Sequence, residues 1–75
     1  MSRDNTILKQ IGAAIRKHRE DLEYSQEKLA ELSEVDRSFI CGVERGSNNI
    51  SILTLCQITD ALGISFKQLV ASMDK

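Results

Sequence analysis

Apolar residues recur along this chain at intervals of three, four and seven, and no stretch alternates apolar and polar positions one by one. The first spacing lines up one face of an α-helix; strict alternation, the mark of a half-buried strand, is missing. Leu8, Ile11, Ile15 and Leu22 mark the inner face of a first helix, about Thr6 to Asp21. Leu29 and Leu32 face inward from a short second helix, about Gln26 to Leu32, with Ala30 small where a neighbour must cross closely. Ile40 and Val43 anchor a third, about Asp36 to Glu44. Ile52, Leu55, Ile58 and Leu62 stripe a fourth, and a fifth runs from about Phe66 to Ser72.

The polar residues between these stripes punctuate them. Ser25, Asp36 and Ser51 stand where a side-chain oxygen is needed to accept from the unpaired amides of a first turn. Asp36 also suits the positive end of a helix dipole. Ser65-Phe66-Lys67-Gln68 has the pattern of a capping box. Gly46 and Gly63 follow the third and fourth stripes, where a helix commonly ends in the left-handed region. The absence of Pro and the wide separation of the four Gly suit short helices with tight connections. Met1 to Asn5 reads as a polar tail. The expectation is an all-α, compact five-helix domain, with residues 1–75 forming one unit.

Composition changes this picture in three ways. Tyr24, Phe39 and Phe66 are the whole aromatic content, so the core rests on Leu, Ile, Val and Ala. A domain this small buries only about 60% of its unfolded surface, so help from a second copy is expected. Ile64, Phe66, Leu69, Val70 and Met73 crowd the C-terminal end beyond what one monomer can hide, and the region about 58–73 is assigned to a homodimer interface. The net charge of −1 argues mildly against a nucleic-acid partner, because phosphate contact favours basic proteins. Distribution matters more than the sum. Glu20, Asp21, Glu23, Glu27, Glu31 and Glu34 crowd one stretch, while Arg37 and Arg45 stand in and just after the third helix.

Cys41 and Cys56 read as free thiols of a reducing cytoplasm. Neither a signal peptide nor a long apolar run is present, so a cytoplasmic protein without a membrane partner is expected. One His without a Ser/Asp partner at useful spacing, and no phosphate-cradling Gly loop, point away from an enzyme. No catalytic residue, metal site or cofactor is predicted; His18 with two scattered Cys makes a poor metal site.

The segment from Gln26 to Gly46 carries the function. Two short helical patterns are joined there by a break too tight for an ordinary loop, a helix-turn-helix at about 26–44. Such a turn presents its second helix as a probe, and a protruding helix is what the major groove of B-DNA admits. With it stand Ile15-Arg16-Lys17-His18-Arg19, Ser25-Gln26-Glu27-Lys28-Leu29-Ala30, Ile40-Cys41-Gly42-Val43-Glu44-Arg45-Gly46, Leu55-Cys56-Gln57-Ile58 and Ala61-Leu62-Gly63. On these residues the chain, from about Ile11 to Val70, resembles the lambda-repressor-like helix-turn-helix family, the xenobiotic-response-element type of regulator. The run from Arg37 to Gly46, with Asn49-Ile50-Ser51, is most similar to the controller proteins of restriction–modification systems, small dimers that regulate their own promoter and the endonuclease gene.

The resemblance implies a sequence-specific regulator that binds double-stranded DNA as a homodimer on a palindromic operator. It implies an ion pair between Arg19 and Glu44, tying the first helix to the end of the third. In some members carboxylates of the second helix touch RNA polymerase, a role that falls here on Glu27, Glu31 and Glu34. The departures are a non-Gly residue, Glu34, where the turn needs the left-handed region, at a cost on the order of 1 kcal/mol; His18 and Tyr24 in apolar slots; and Thr59 for a usual Ala.

Arg37 and Ser38 open the third helix, the end that reaches base edges. Arg37 can bond guanine O6 and N7 together, and Ser38 is open between base and phosphate. Phe39 meets a thymine methyl or folds over the neighbouring core. Gln26, beside the free amides that open the second helix, is placed on a phosphate. Arg45, Ser47, Asn48 and Asn49 flank the DNA backbone or form an ordinary solvated loop. Two rivals share the fold: a phage-type repressor, and an antitoxin or anti-repressor that holds a protein partner.

Overall fold

The computed structural model describes residues 6–73. Among them lie five helices and no strand: α1 (Thr6–Asp21), α2 (Gln26–Ser33), α3 (Arg37–Arg45), α4 (Ile52–Leu62) and α5 (Phe66–Ser72). The polar tail read at Met1 to Asn5 lies outside the described residues.

Local chemistry sets the helix starts. The Ser25 hydroxyl accepts from the Lys28 amide at 2.9 Å, Asp36 from the Ser38 amide at 3.0 Å and Ser51 from the Thr54 amide at 3.1 Å. The capping box closes in both directions: Gln68 N–H donates to Ser65 Oγ at 3.0 Å, and Ser65 N–H donates to Gln68 Oε1 at 2.8 Å. Each cap satisfies amides that the first turn leaves without partners. Gly46 and Gly63 end α3 and α4 in the left-handed region.

Ile15, Leu29, Ile40, Val43, Leu55, Ile58, Leu62 and Leu69 form the core, with Ala14 and Ala30 in the tighter gaps. α1 lies chiefly along α3, α2 fills the angle between α3 and α4, and α5 closes the far side against α1 and α4. Gly12 explains how closely α1 and α3 approach. A Cβ there would stand 2.2 Å from the Val43 carbonyl oxygen and 2.7 Å from that of Glu44. His18 Nε2 meets Ser72 Oγ at 3.2 Å, and that hydroxyl donates to Leu69 O at 2.7 Å. The Ser72 proton is thus spoken for, His18 supplies the donor, and α1 is pinned to α5.

Three positions of the expected inner faces lie outward. Leu32 is exposed, because α2 packs through Leu29, Ala30 and Ser33. Ser33 tolerates burial because its hydroxyl donates to Leu29 O at 2.7 Å. Leu22 is exposed in the turn after α1, and Ile52 in the first turn of α4, which overhangs the core that Leu55, Ile58 and Leu62 enter. Thr59 is buried with its hydroxyl donating to Cys56 O at 3.1 Å.

Candidate nucleic-acid interface

The break between α2 and α3 is left-handed although no glycine stands there. Glu34 has φ +61° and ψ +35°. Two braces hold it: the Val35 amide donates to Ala30 O at 3.1 Å, and Gln57 Nε2 reaches over from α4 to Ser33 O at 3.1 Å. The Gln57 contact crosses between helices and had no sign in the local sequence.

This turn aims α3. Ile40 and Val43 are buried on its inner side, and Gly42 faces the Asn48 side chain. Arg37, Ser38 and Arg45 are exposed and Cys41 half-exposed. At offsets of one, four and eight from Arg37, they form one outward stripe. Phe39 is half-buried and packs against the core, so its ring belongs mainly to the body. At the start of the stripe, Asp36 Oδ2 accepts from both the amide and the hydroxyl of Ser38. The hydroxyl, then the amide, hold the Asp36 carboxyl below the usual carboxylate range.

The other end of α3 is enclosed. Arg19 Nε donates to Glu44 Oε2 at 2.7 Å and Arg19 Nη2 to Glu44 Oε1 at 3.0 Å, with the side chains 11% and 4% exposed. Arg19 Nη1 donates to Tyr24 O at 2.7 Å. The bond to Glu44 raises the Arg19 pKa against the opposing effect of burial. Gln26 Nε2 joins the group, donating to Glu44 Oε1 at 3.0 Å. One amide proton of Gln26 is therefore committed to α3 and the other is left for an outside acceptor. Arg19, Ser25, Gln26, Glu27 and Arg37 line a shallow notch where the starts of α2 and α3 come together.

The loop after α3 divides. Arg45 and Asn49 are exposed. Ser47 is exposed too, and its amide and its hydroxyl both donate to Gly42 O, at 3.0 and 3.1 Å, closing the end of α3. Asn48 is half-buried. Its amide fills the space beside Gly42, where a Cβ would stand 2.2 Å from Asn48 Nδ2.

On the opposite side, Phe66 and Val70 are exposed, and Ile64 and Met73 are half-buried against the core. Leu69 is 0% exposed and holds α5 to its own core. Ile7, Ile52, Phe66 and Val70 edge an apolar groove floored by Leu55 and Leu69, and Leu53 stands out 79% exposed at the start of α4. The adjacent apolar pair Ile52-Leu53 was the available sign, since one helix face cannot take both. Glu27 and Glu31 are exposed on α2 with Lys28 among them, and Glu34 is exposed at its end. Among the described residues no cluster of His, Cys, Asp and Glu could hold a metal, and no helix is long and apolar enough to cross a membrane.

A helix-turn-helix family model matches residues 15–69. The chain is 32% identical over 72 residues to the control protein C.MunI of a Mycoplasma species, covering 95% of this chain and 97% of that one. The restriction–modification controller protein C.AhdI from Aeromonas hydrophila superposes with a TM-score of 0.83 at 39% identity, over 85% of this chain and 97% of its own. C.Esp1396I, solved as a tetramer in complex with its natural 35 base-pair operator, superposes with a TM-score of 0.83 at 33% identity, over 88% of this chain and 87% of its own.

Proposed function

The chain belongs to the lambda-repressor-like helix-turn-helix family and, within it, to the restriction–modification controller group of DNA-binding transcription regulators; on that footing we propose that it acts as a homodimer on a palindromic operator, at its own promoter and that of an endonuclease gene. The observation that carries this proposal is the split of α3 into a buried inner side, Ile40 and Val43, and an outward stripe of Arg37, Ser38, Cys41 and Arg45 beside the Gln26 notch.

Seated in a major groove, that stripe puts Arg37 on a guanine edge and Ser38 beside it, with the exposed part of Phe39 toward a thymine methyl. The remaining amide proton of Gln26 and the free amides opening α2 face a phosphate, and Arg45 and Asn49 the next stretch of backbone. Phe66 and Val70, rimmed by Ile64 and Met73, meet a second copy together with Ile7, Ile52 and Leu53. Two-fold symmetry then sets two probes about one DNA turn apart, roughly 34 Å. Occupancy blocks polymerase at one position and recruits it at another; Glu27, Glu31 and Glu34 form the face for such recruitment.

A mobility-shift titration on the DNA upstream of the gene tests the proposal. Log affinity should fall linearly with log salt, with a slope reflecting several phosphates. A chain that binds no such DNA at any salt is instead a protein-binding module on the same fold, the reading that a net charge of −1 favours.

A further inference from the structure

We propose that Asp36 is a positioning residue for base reading: it takes the hydrogen bond of the Ser38 hydroxyl, so that Ser38 faces the duplex as an acceptor only and selects a base that carries an exocyclic amine. This rests on the reading of α3 as the helix that enters the major groove.

A free serine hydroxyl rotates and serves equally as donor or acceptor, so by itself it distinguishes little. Here the rotation is stopped. Asp36 Oδ2 receives the Ser38 amide at 3.0 Å and also the Ser38 hydroxyl. An ionised carboxylate has no proton to give, which settles the direction: Ser38 Oγ–H donates and Asp36 accepts. The same two bonds keep the Asp36 carboxyl below the usual carboxylate range, so it is ionised wherever the protein works near neutrality. What Ser38 then turns outward is lone pairs. In the major groove adenine N6 and cytosine N4 offer protons, whereas guanine O6 and thymine O4 offer only more lone pairs. Asp36 thus does two jobs with one atom: it caps α3 and fixes the polarity of the side chain two residues on.

The test is selection of preferred sites from a random duplex pool by the full chain, followed by competition with each base at every position. Wild type should favour adenine or cytosine over guanine or thymine at one symmetric pair by about fivefold or more, the scale of a single well-made base contact. Ser38→Ala and Asp36→Gly should each flatten that preference and leave other positions alone, and the double variant should be no flatter than either single one. Gly is a serviceable N-cap, and a thermal melt verifies that the variant folds. Asp36→Asn keeps an oxygen for both bonds, so it should retain the preference while tightening binding to all sequences through loss of a negative charge. A full preference in folded Asp36→Gly, or additive effects of the two single changes, would overturn the inference. If Arg37→Ala relaxes its own position while Asp36→Gly alters none, only this inference falls. If no substitution in α3 changes the selected site, the assignment of α3 to the groove falls with it.

Discussion

At its C-terminal end α3 is sealed: the Glu44 side chain is 4% exposed and accepts three hydrogen bonds, two from Arg19 and one from Gln26. At its N-terminal end Asp36, Arg37 and Ser38 stand in solvent, and the side-chain bonds of Asp36 come from Ser38, two residues on in the same helix end. The two ends lie about 12 Å apart, from a rise of 1.5 Å per residue. One short helix can therefore be held rigidly by one end and offer chemistry with the other. Substitutions at the sealed end act on the fold and disturb binding only through it. Substitutions at the open end change what is bound and leave the fold almost alone.

The largest effect expected is that of Glu44→Ala. It strands the Arg19 guanidinium in a buried site and frees Gln26, at a cost of about 3–5 kcal/mol. A urea or thermal unfolding curve reads this directly, and for so small a domain it approaches complete loss of the folded state. Replacing Arg19 and Glu44 together by Met and Leu should cost much less, because no charge is left uncompensated; equal losses for the single and double changes would break the account of the sealed end. Next comes Gly12→Ala, whose methyl must displace Val43 O from 2.2 Å. Separation of α1 from α3 should cost about 1–3 kcal/mol, visible as a lower melting midpoint.

Arg37→Ala sharpens the comparison from the other side. Stability should stay within about 0.5 kcal/mol of wild type, while operator affinity falls by about 1–3 kcal/mol and one symmetric position relaxes. A matching loss of stability would mean that the open end is not open. Glu34→Gly is milder. Relief of the left-handed strain should stabilise the fold by up to about 1 kcal/mol, with binding to DNA unaltered at fixed salt. The smallest effect concerns acid. The native state holds the Asp36 carboxyl below its unfolded value, so this cap contributes fully above the ordinary carboxylate range and fades as pH falls through the depressed native value. The melting midpoint of wild type should therefore drop in that acid window slightly more than that of Asp36→Asn.

Helix starts and the motif were legible because their causes are local. Ser25, Asp36, Ser51 and Ser65 each satisfy an amide two or three residues ahead, and the stripes through Ile15, Ile40, Ile58 and Leu62 follow from helical period alone. The same rules misplaced Leu32, Leu22 and Ile52, since a period tells which residues share a face but not how far a neighbour extends over it. In the candidate site, Arg37, Ser38 and Arg45 are exposed as the spacing required. Ser47 also closes α3 through its bonds to Gly42 O, a use that depends on where Gly42 lies.

By itself the chain determined the five helices, their caps and the helix-turn-helix, because each rests on atoms a few residues apart whose encounter costs little entropy. Tertiary structure alone decided which apolar residues are spent on the core, as with Leu69, and which side chains lose their freedom to bind. It also decided the commitment of one Gln26 proton to Glu44 across 18 residues and the Gln57 brace on Ser33 across 24. Those contacts come from helix packing, and packing depends on the shape of every face at once.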